Sequence, residues 1–199
     1  MGHWLMFPCQ KHPLVLGSRS PRRSQLLQQM GLQFRCLSAD IDESYPLHLK
    51  AGAIASYLAE AKAETLFSQI RAGEILITSD TVVWQQGRSL EKPHNREEAE
   101  EMLQTLSGSQ HQVITGVCLR SHDRAYSFTD AVEVEMKELP EAWIKHYLDQ
   151  YAPYDKAGAY GIQEWIGMVG IQKIHGSFFT VMGLPTAPLF AALQDWEQR

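Results

Sequence analysis

Cysteine is scarce in this chain of 199 residues, and the three present, Cys9, Cys36 and Cys118, form neither a paired framework nor the close spacing of metal-binding thiols. That excludes a disulfide-stapled secreted scaffold, and the odd count fits a reducing, cytoplasmic compartment. Cys118 reads as a small buried hydrophobe. No run approaches the roughly 20 consecutive apolar residues of a membrane span, so no membrane attachment is expected. Residues 1–9 lack both a basic region and a long apolar run, and Met6 stands where a myristoylation signal needs Ser or Thr, so they read as a short extension. Positive charge is also short: 18 Lys and Arg against 23 Asp and Glu give a formal net charge of -5. A general nucleic-acid binder needs a broad basic surface and is excluded; any polyanion must be held by a local basic cluster. The eight histidines show no metal-ligand spacing. Internal repeats and low-complexity linkers are missing too, so residues 1–199 are expected to form a single domain.

With 44% hydrophobic and 21% charged residues, the chain has ordinary globular composition. Residues 14–16 form an apolar run that passes at once into Gly17-Ser18-Arg19-Ser20-Pro21, a strand entering a loop. A helix follows, with Ser20 at the N-cap, Pro21 in the first turn, Leu26, Leu27 and Met30 on one face and Gly31 as a left-handed cap. Residues 34–37 read as a strand. Residues 52–71 read as a helix with Ile54, Leu58, Ala61 and Leu66 at helical spacing and with Lys62 aboard. Residues 75–77 form a strand candidate, Thr78-Ser79-Asp80-Thr81 reads as a polar loop tip, and apolar chain resumes at Val82 before a turn near Gly87. Asn95 and Glu98 resemble a capping box before a helix carrying Ala99, Met102, Leu103 and Leu106. Strands over 113–119 and 131–136, helices over 140–151 and 186–196, and glycine-rich loops with short strands over 157–162 and 176–184 complete the pattern. This alternation predicts an α/β protein with a mixed sheet.

Chemistry concentrates first in Ser18-Arg19-Ser20-Pro21-Arg22-Arg23. Three guanidinium groups and two hydroxyls crowd a helix mouth, where backbone N–H groups and multi-donor arginines both match phosphate oxygens. An arginine-rich exposed first turn is the plainer alternative, but positive charge there opposes the helix dipole. The Gly-Lys-Ser/Thr ending of a P-loop is missing, which excludes that chemistry. Asp80 can coordinate a hard cation or orient a water, or it can simply cap a loop. Glu43 adds a second carboxylate, and Lys62 and Lys92 add positive charge, together the equipment of phosphoanhydride cleavage. His111 reads as a structural hydrogen-bonding residue and Trp84 and Trp143 as packing residues. Tyr160 is open between packing and stacking on a base.

Several blocks in one order carry a resemblance: residues 16–23, then Ser79-Asp80-Thr81-Val82-Val83, Glu91-Lys92-Pro93, Leu106-Ser107-Gly108 with His111 and Thr115, residues 155–163, and Gly183-Leu184-Pro185. Over about residues 14–193 they resemble the Maf family of nucleotide pyrophosphatases. The resemblance implies a mixed twisted sheet flanked by helices in an inosine triphosphate pyrophosphatase-like, two-lobed fold with a central cleft. It implies hydrolysis of a nucleoside triphosphate between its α and β phosphates with a divalent cation, Mg²⁺ or Mn²⁺, by a homodimer. Asp80 resembles the family's proton acceptor and, with Glu43, a metal ligand. Lys62 and Lys92 resemble its charged cleft residues, Ser18 and Arg23 belong to its phosphate loop, and Arg22, Thr81 and Gln163 resemble the positions tied to substrate choice. The run Ala159-Tyr160-Gly161-Ile162-Gln163 looks like the dTTP/UTP branch; a 7-methyl-GTP pyrophosphatase and a non-catalytic regulator of septum formation are the alternatives. Gly17 stands where alanine is usual, and Ser79 precedes the acid where a small alanine is common.

Overall fold

The computed structural model describes residues 11–38 and 43–198, so the expected extension over residues 1–9 and the carboxylates Asp40 and Asp42 lie outside the described residues. The chain begins with strand β1 (Leu14–Gly17), helix α1 (Pro21–Gln29) and strand β2 (Phe34–Leu37). Pro21 opens α1 as expected, but among the described residues the Ser20 side chain makes no capping bond; Ser18 Oγ instead accepts the Ser20 N–H at 3.1 Å. The far end closes as anticipated around Gly31 at φ 75°, where Leu32 N–H reaches Leu27 O and Gly31 N–H reaches Gln28 O, satisfying carbonyls the helix leaves open.

Helix α2 (Gly52–Leu66) is followed by strand β3 (Ile75–Gln85), which turns back through β4 (Arg88–Leu90). Here the structure corrects the expected loop tip: residues 78–81 are not a loop but the middle of an unbroken, buried strand. Helix α3 (Arg96–Leu106) is capped reciprocally, Asn95 Oδ1 taking Glu98 N–H while Glu98 Oε2 takes His94 N–H. Strands β5 (Gln110–Arg120) and β6 (Ala125–Met136) and helix α4 (Glu141–Tyr151) follow. A short helix α5 (Trp165–Gly170), strand β7 (Ile171–His175), helix α6 (Phe178–Met182) and the terminal helix α7 (Thr186–Gln198) complete the chain. The sequence pattern did not foresee α5 or β7, and where it expected loops with short strands the structure has a 3-10 turn over Ala157–Ala159 and helix α6, because the glycines there serve tight turns that end short helices.

The strands form one mixed sheet in the order β2-β1-β3-β5-β6-β7, with β4 against β3. β1 runs parallel to β2 and β3, and the remaining pairs are antiparallel. Side chains alternate across β3, so Leu76 and Val82 pack against α2 while Ile77 and Val83 face the other way. On that second face lie two apolar clusters. One gathers β1, α1 and α7 around Leu16, Leu26 and Leu189; the other gathers α3, α4 and α5 around Leu103, Tyr147 and Ile166. Helices thus cover both faces of the sheet, as an α/β fold requires.

α2 is seated very close to the sheet. A Cβ at Gly116 of β5 would lie 2.4 Å from Ala55 O and 2.5 Å from Ala55 C, so only glycine admits the helix backbone here. The helix also begins under strain, because Ala51 adopts φ 47°, ψ -118°, a region that L side chains rarely enter. Relief of that strain, less the backbone entropy a glycine brings, should make Ala51→Gly about 1 kcal/mol more stable. A melting temperature that falls in this variant would show that the turn is not strained.

Candidate active site

The registers of the sheet open the site. β1 pairs with β3 only as far as Leu16 opposite Ile77, and β4 meets β3 from Val83 onward. Between them, residues 78–82 have β5 on one side and, among the described residues, no strand on the other. Beyond the carboxyl end of β1 the chain turns away through Ser18 and Arg19 into α1, and a cleft of about 1090 Å³ fills the gap. Crevices beyond the carboxyl ends of parallel strands are the usual ligand sites of open α/β sheets. Ser18, Arg22, Arg23, Glu43, Lys62, Asp80, Thr81, Lys92 and Gln163 all line this cleft.

Alternation along β3 sorts its polar residues into two roles. Thr78 and Asp80 face α2, where Thr78 Oγ1 donates to Ala59 O at 2.6 Å and Asp80 Oδ1 takes a short bond from Lys62. Lys62 Nζ also reaches Glu43 Oε1 at 3.0 Å, and Lys92 Nζ holds Glu43 Oε2. One half-buried ammonium therefore joins the two carboxylates, which come from segments far apart in sequence. Asp80 is buried, with its side chain 12% exposed, while Glu43 is 41% exposed. Burial pushes the Glu43 carboxyl up, but the hydrogen bond from Lys92 and the charge of Lys62 outweigh it and hold it at about 2.

Ser79 and Thr81 face the opposite way. Ser79 Oγ donates to Gly183 O at 3.0 Å, so it supports the far side of the strand and not the acid next to it. Thr81 Oγ1 shares a hydrogen bond with Thr115 Oγ1 and accepts from Arg23 Nη2 at 3.2 Å. Arg23 also donates from Nε to Gly183 O at 2.8 Å and from Nη1 to Ser18 Oγ at 3.3 Å. Each of its nitrogens is thus engaged within the protein. Burial pushes this guanidinium below its usual value, against the pull of Asp80 and Glu43. Arg23 clasps three distant segments, whereas Arg22, one residue earlier, turns toward the cleft and pairs with Asp155 Oδ2 at 3.0 Å. Beside Asp155, Gln163 presents a carboxamide whose Oε1 is buried and, among the described residues, lacks a hydrogen-bond partner.

The plain reading of His111 holds: it lies buried with Nε2 2.8 Å from Tyr160 OH, and burial holds its pKa down at about 4. Tyr160 is buried with its ring edge against His111, which makes it a packing residue of the cleft wall. Cys118 is buried, while Trp143 stays 37% exposed and packs edge-on against Trp165. Gly17 is explained by space, since a Cβ there would lie 2.7 Å from both Leu66 Cδ1 and Thr78 Cγ2. Sequence reasoning missed Tyr147 and Glu164, which bond to each other behind Gln163. Tyr147 was hidden as one more apolar-face residue of a helix, and no spacing rule links it to position 164. Among the described residues, no helix is long and apolar enough to cross a membrane.

A family model described as Maf-like protein matches residues 13–196. The chain is 48% identical to a dTTP/UTP pyrophosphatase of Bacteroides thetaiotaomicron, covering 92% of this chain and 96% of that one. It is 43% identical to one of Flavobacterium johnsoniae, over 92% and 95% of the two chains, and 46% identical to one of Porphyromonas gingivalis, over 94% and 96%. Among solved structures, a HAM1 protein from Coxiella burnetii is similar at TM-score 0.47 and 15% identity, over 65% of this chain and 75% of that one.

Proposed function

Because the chain belongs to the Maf-like protein family, we propose that it is a nucleoside triphosphate pyrophosphatase, formed as one domain, that hydrolyses dTTP and UTP to the monophosphate and pyrophosphate. The observation that carries this reading is the cluster in which Lys62 joins Asp80 to Glu43 and Glu43 to Lys92, within the cleft that also holds Arg22 and Gln163. In the free protein the carboxylates and lysines neutralise one another. An entering triphosphate offers the ammonium groups of Lys62 and Lys92 stronger anionic partners, and their move to phosphate oxygens frees Asp80. Asp80 then accepts the proton of the attacking water as the phosphoanhydride opens and pyrophosphate leaves.

The donor set also fits a divalent cation. Mg²⁺ is usually held by one or two carboxylates plus substrate phosphates. Among the described residues no group of three or more His, Cys, Asp or Glu stands ready to hold an ion unaided. Asp80 and Glu43 would hold Mg²⁺ or Mn²⁺ together with the substrate, and the ion would offset charge on the phosphate oxygens. The reading places the enzyme in the cytoplasm as a homodimer. Met168 and Phe178, exposed in one surface depression with Ile171 and Ile174 of the edge strand β7, offer an apolar face for the second copy, and sedimentation as a monomer at micromolar concentration would remove the dimer.

Gln163 supports the choice of base. Its unpartnered Oε1 wants a donor, which N3–H of thymine or uracil supplies, while Nε2 can donate to O4; cytosine presents an acceptor at N3 instead. Gln163→Glu should therefore lower kcat/KM for dTTP and UTP about tenfold, with a smaller loss for a base that presents donors at that edge. An equal loss for dTTP, UTP, CTP and 7-methyl-GTP would mean that Gln163 shapes the loop without reading the base. The same four nucleotides, assayed for pyrophosphate release by the wild-type protein, test the function itself. A preference for 7-methyl-GTP would move the chain to the other branch, and release from none would leave the non-catalytic reading.

A further inference from the structure

The loop that presents Gln163 is pinned by polar groups that reach from the cleft wall into the core behind it. Tyr147, on α4, is fully buried, yet its phenol donates to Glu164 Oε2 and accepts the Gly161 N–H at 3.0 Å. Glu164 Oε1 lies 3.1 Å from Lys156 Nζ, another buried group, which holds Asp155 Oδ1 at 2.7 Å. Asp155 Oδ2 in turn receives Arg22. A continuous chain of hydrogen bonds and ion pairs thus runs from a core helix past Gln163 to Arg22, and neither Tyr147 nor Glu164 lines the cleft itself.

The backbone adds an independent constraint. A Cβ at Gly161 would lie 2.8 Å from Glu164 Cδ and 2.9 Å from Gln163 Nε2, so the carboxylate and the carboxamide are folded over one α-carbon. Glu164 and the Gln163 head thus stand on the same glycine, whose N–H is held by Tyr147. Burial pushes the pKa of the Tyr147 phenol up, with Glu164 adding to the effect, so the hydroxyl keeps its proton and remains a donor. A loop that needed only anchoring could be held by apolar contacts. Buried charges are costly unless paired, and this chain passes the side chain that faces the base on this reading and ends on an arginine of the cleft.

We propose that Tyr147 and Glu164 are positioning residues for base selection: they hold the Gln163 carboxamide in register with Arg22, so that a bound nucleotide meets both at once. The proposal rests on the pyrimidine reading given above.

The test measures kcat/KM for dTTP and for CTP, with melting temperatures, in Tyr147→Phe and Glu164→Gln, each alone and combined with Gln163→Ala. Each single variant should lower the dTTP-to-CTP ratio about tenfold, mainly through KM, and should change it by less than about twofold once Gln163 is gone. A lower melting temperature with an unchanged ratio, or losses that multiply in the double variants, would overturn the proposal. Glu164 is partly exposed, so Glu164→Gln keeps the test open if Tyr147→Phe does not fold. Wild-type protein that releases pyrophosphate without favouring dTTP over CTP would overturn the proposal and leave the pyrophosphatase reading standing; no release from either would remove both.

Discussion

Asp80→Asn should lower turnover on dTTP by at least about 10²-fold, the usual scale for losing a general base. The carboxamide keeps the size of the side chain and most of its hydrogen bonding, and the backbone of residue 80 remains paired with Gly116 across the sheet. Lys62 retains Glu43 as a partner, so the cleft should keep its shape and its affinity for triphosphate better than its rate. What disappears is the negative charge that takes a proton. Single-turnover and steady-state rates of pyrophosphate release read this directly, and turnover like that of the wild type would remove Asp80 from the chemistry.

Gly116→Val should be the most damaging single change to the fold among those considered. The new Cβ would meet carbonyl and amide atoms of Ala55 and Ser56, which cannot rotate aside as a side chain could. α2 must lift from β5, and overpacking of this kind costs about 1–3 kcal/mol or more. At the upper end that is a fall of about 6–12 °C in melting temperature for a domain of this size. Lys62 lies two turns along the same helix, so the lift should also loosen its contact with Asp80 and slow turnover at temperatures where the variant is folded. An unchanged melting temperature would mean that the helix is not seated on this glycine.

The strand-loop-helix unit from β1 into α1 was legible in the sequence because its signals are local: an apolar run, a serine- and arginine-rich turn, and proline in the first turn of α1. Asn95 with Glu98 was legible for the same reason. Residues 78–81 misled, since four small polar residues in a row read as a loop tip. Their hydroxyls and carboxylate are satisfied by Ala59, Gly183, Lys62 and Thr115, partners that lie 18 to 104 residues away and leave no local trace. The network behind Gln163 escaped for a related reason. Tyr147 has the spacing of a core residue and is one, and its hydroxyl bond to Glu164 depends on how α4 packs against the 157–164 segment.

The cleft draws on parts of the molecule with unequal resistance to opening. Asp80 belongs to a long, buried strand paired with β5 along nearly its whole length, and such strands open mainly when the whole domain unfolds. Gln163 stands on a turn and Arg22 in the first turn of α1, places held by a few polar bonds that yield to smaller, local fluctuations. On the proposed assignment of these residues, the molecule should therefore lose discrimination between nucleotides before it loses the ability to cleave them as temperature rises toward melting.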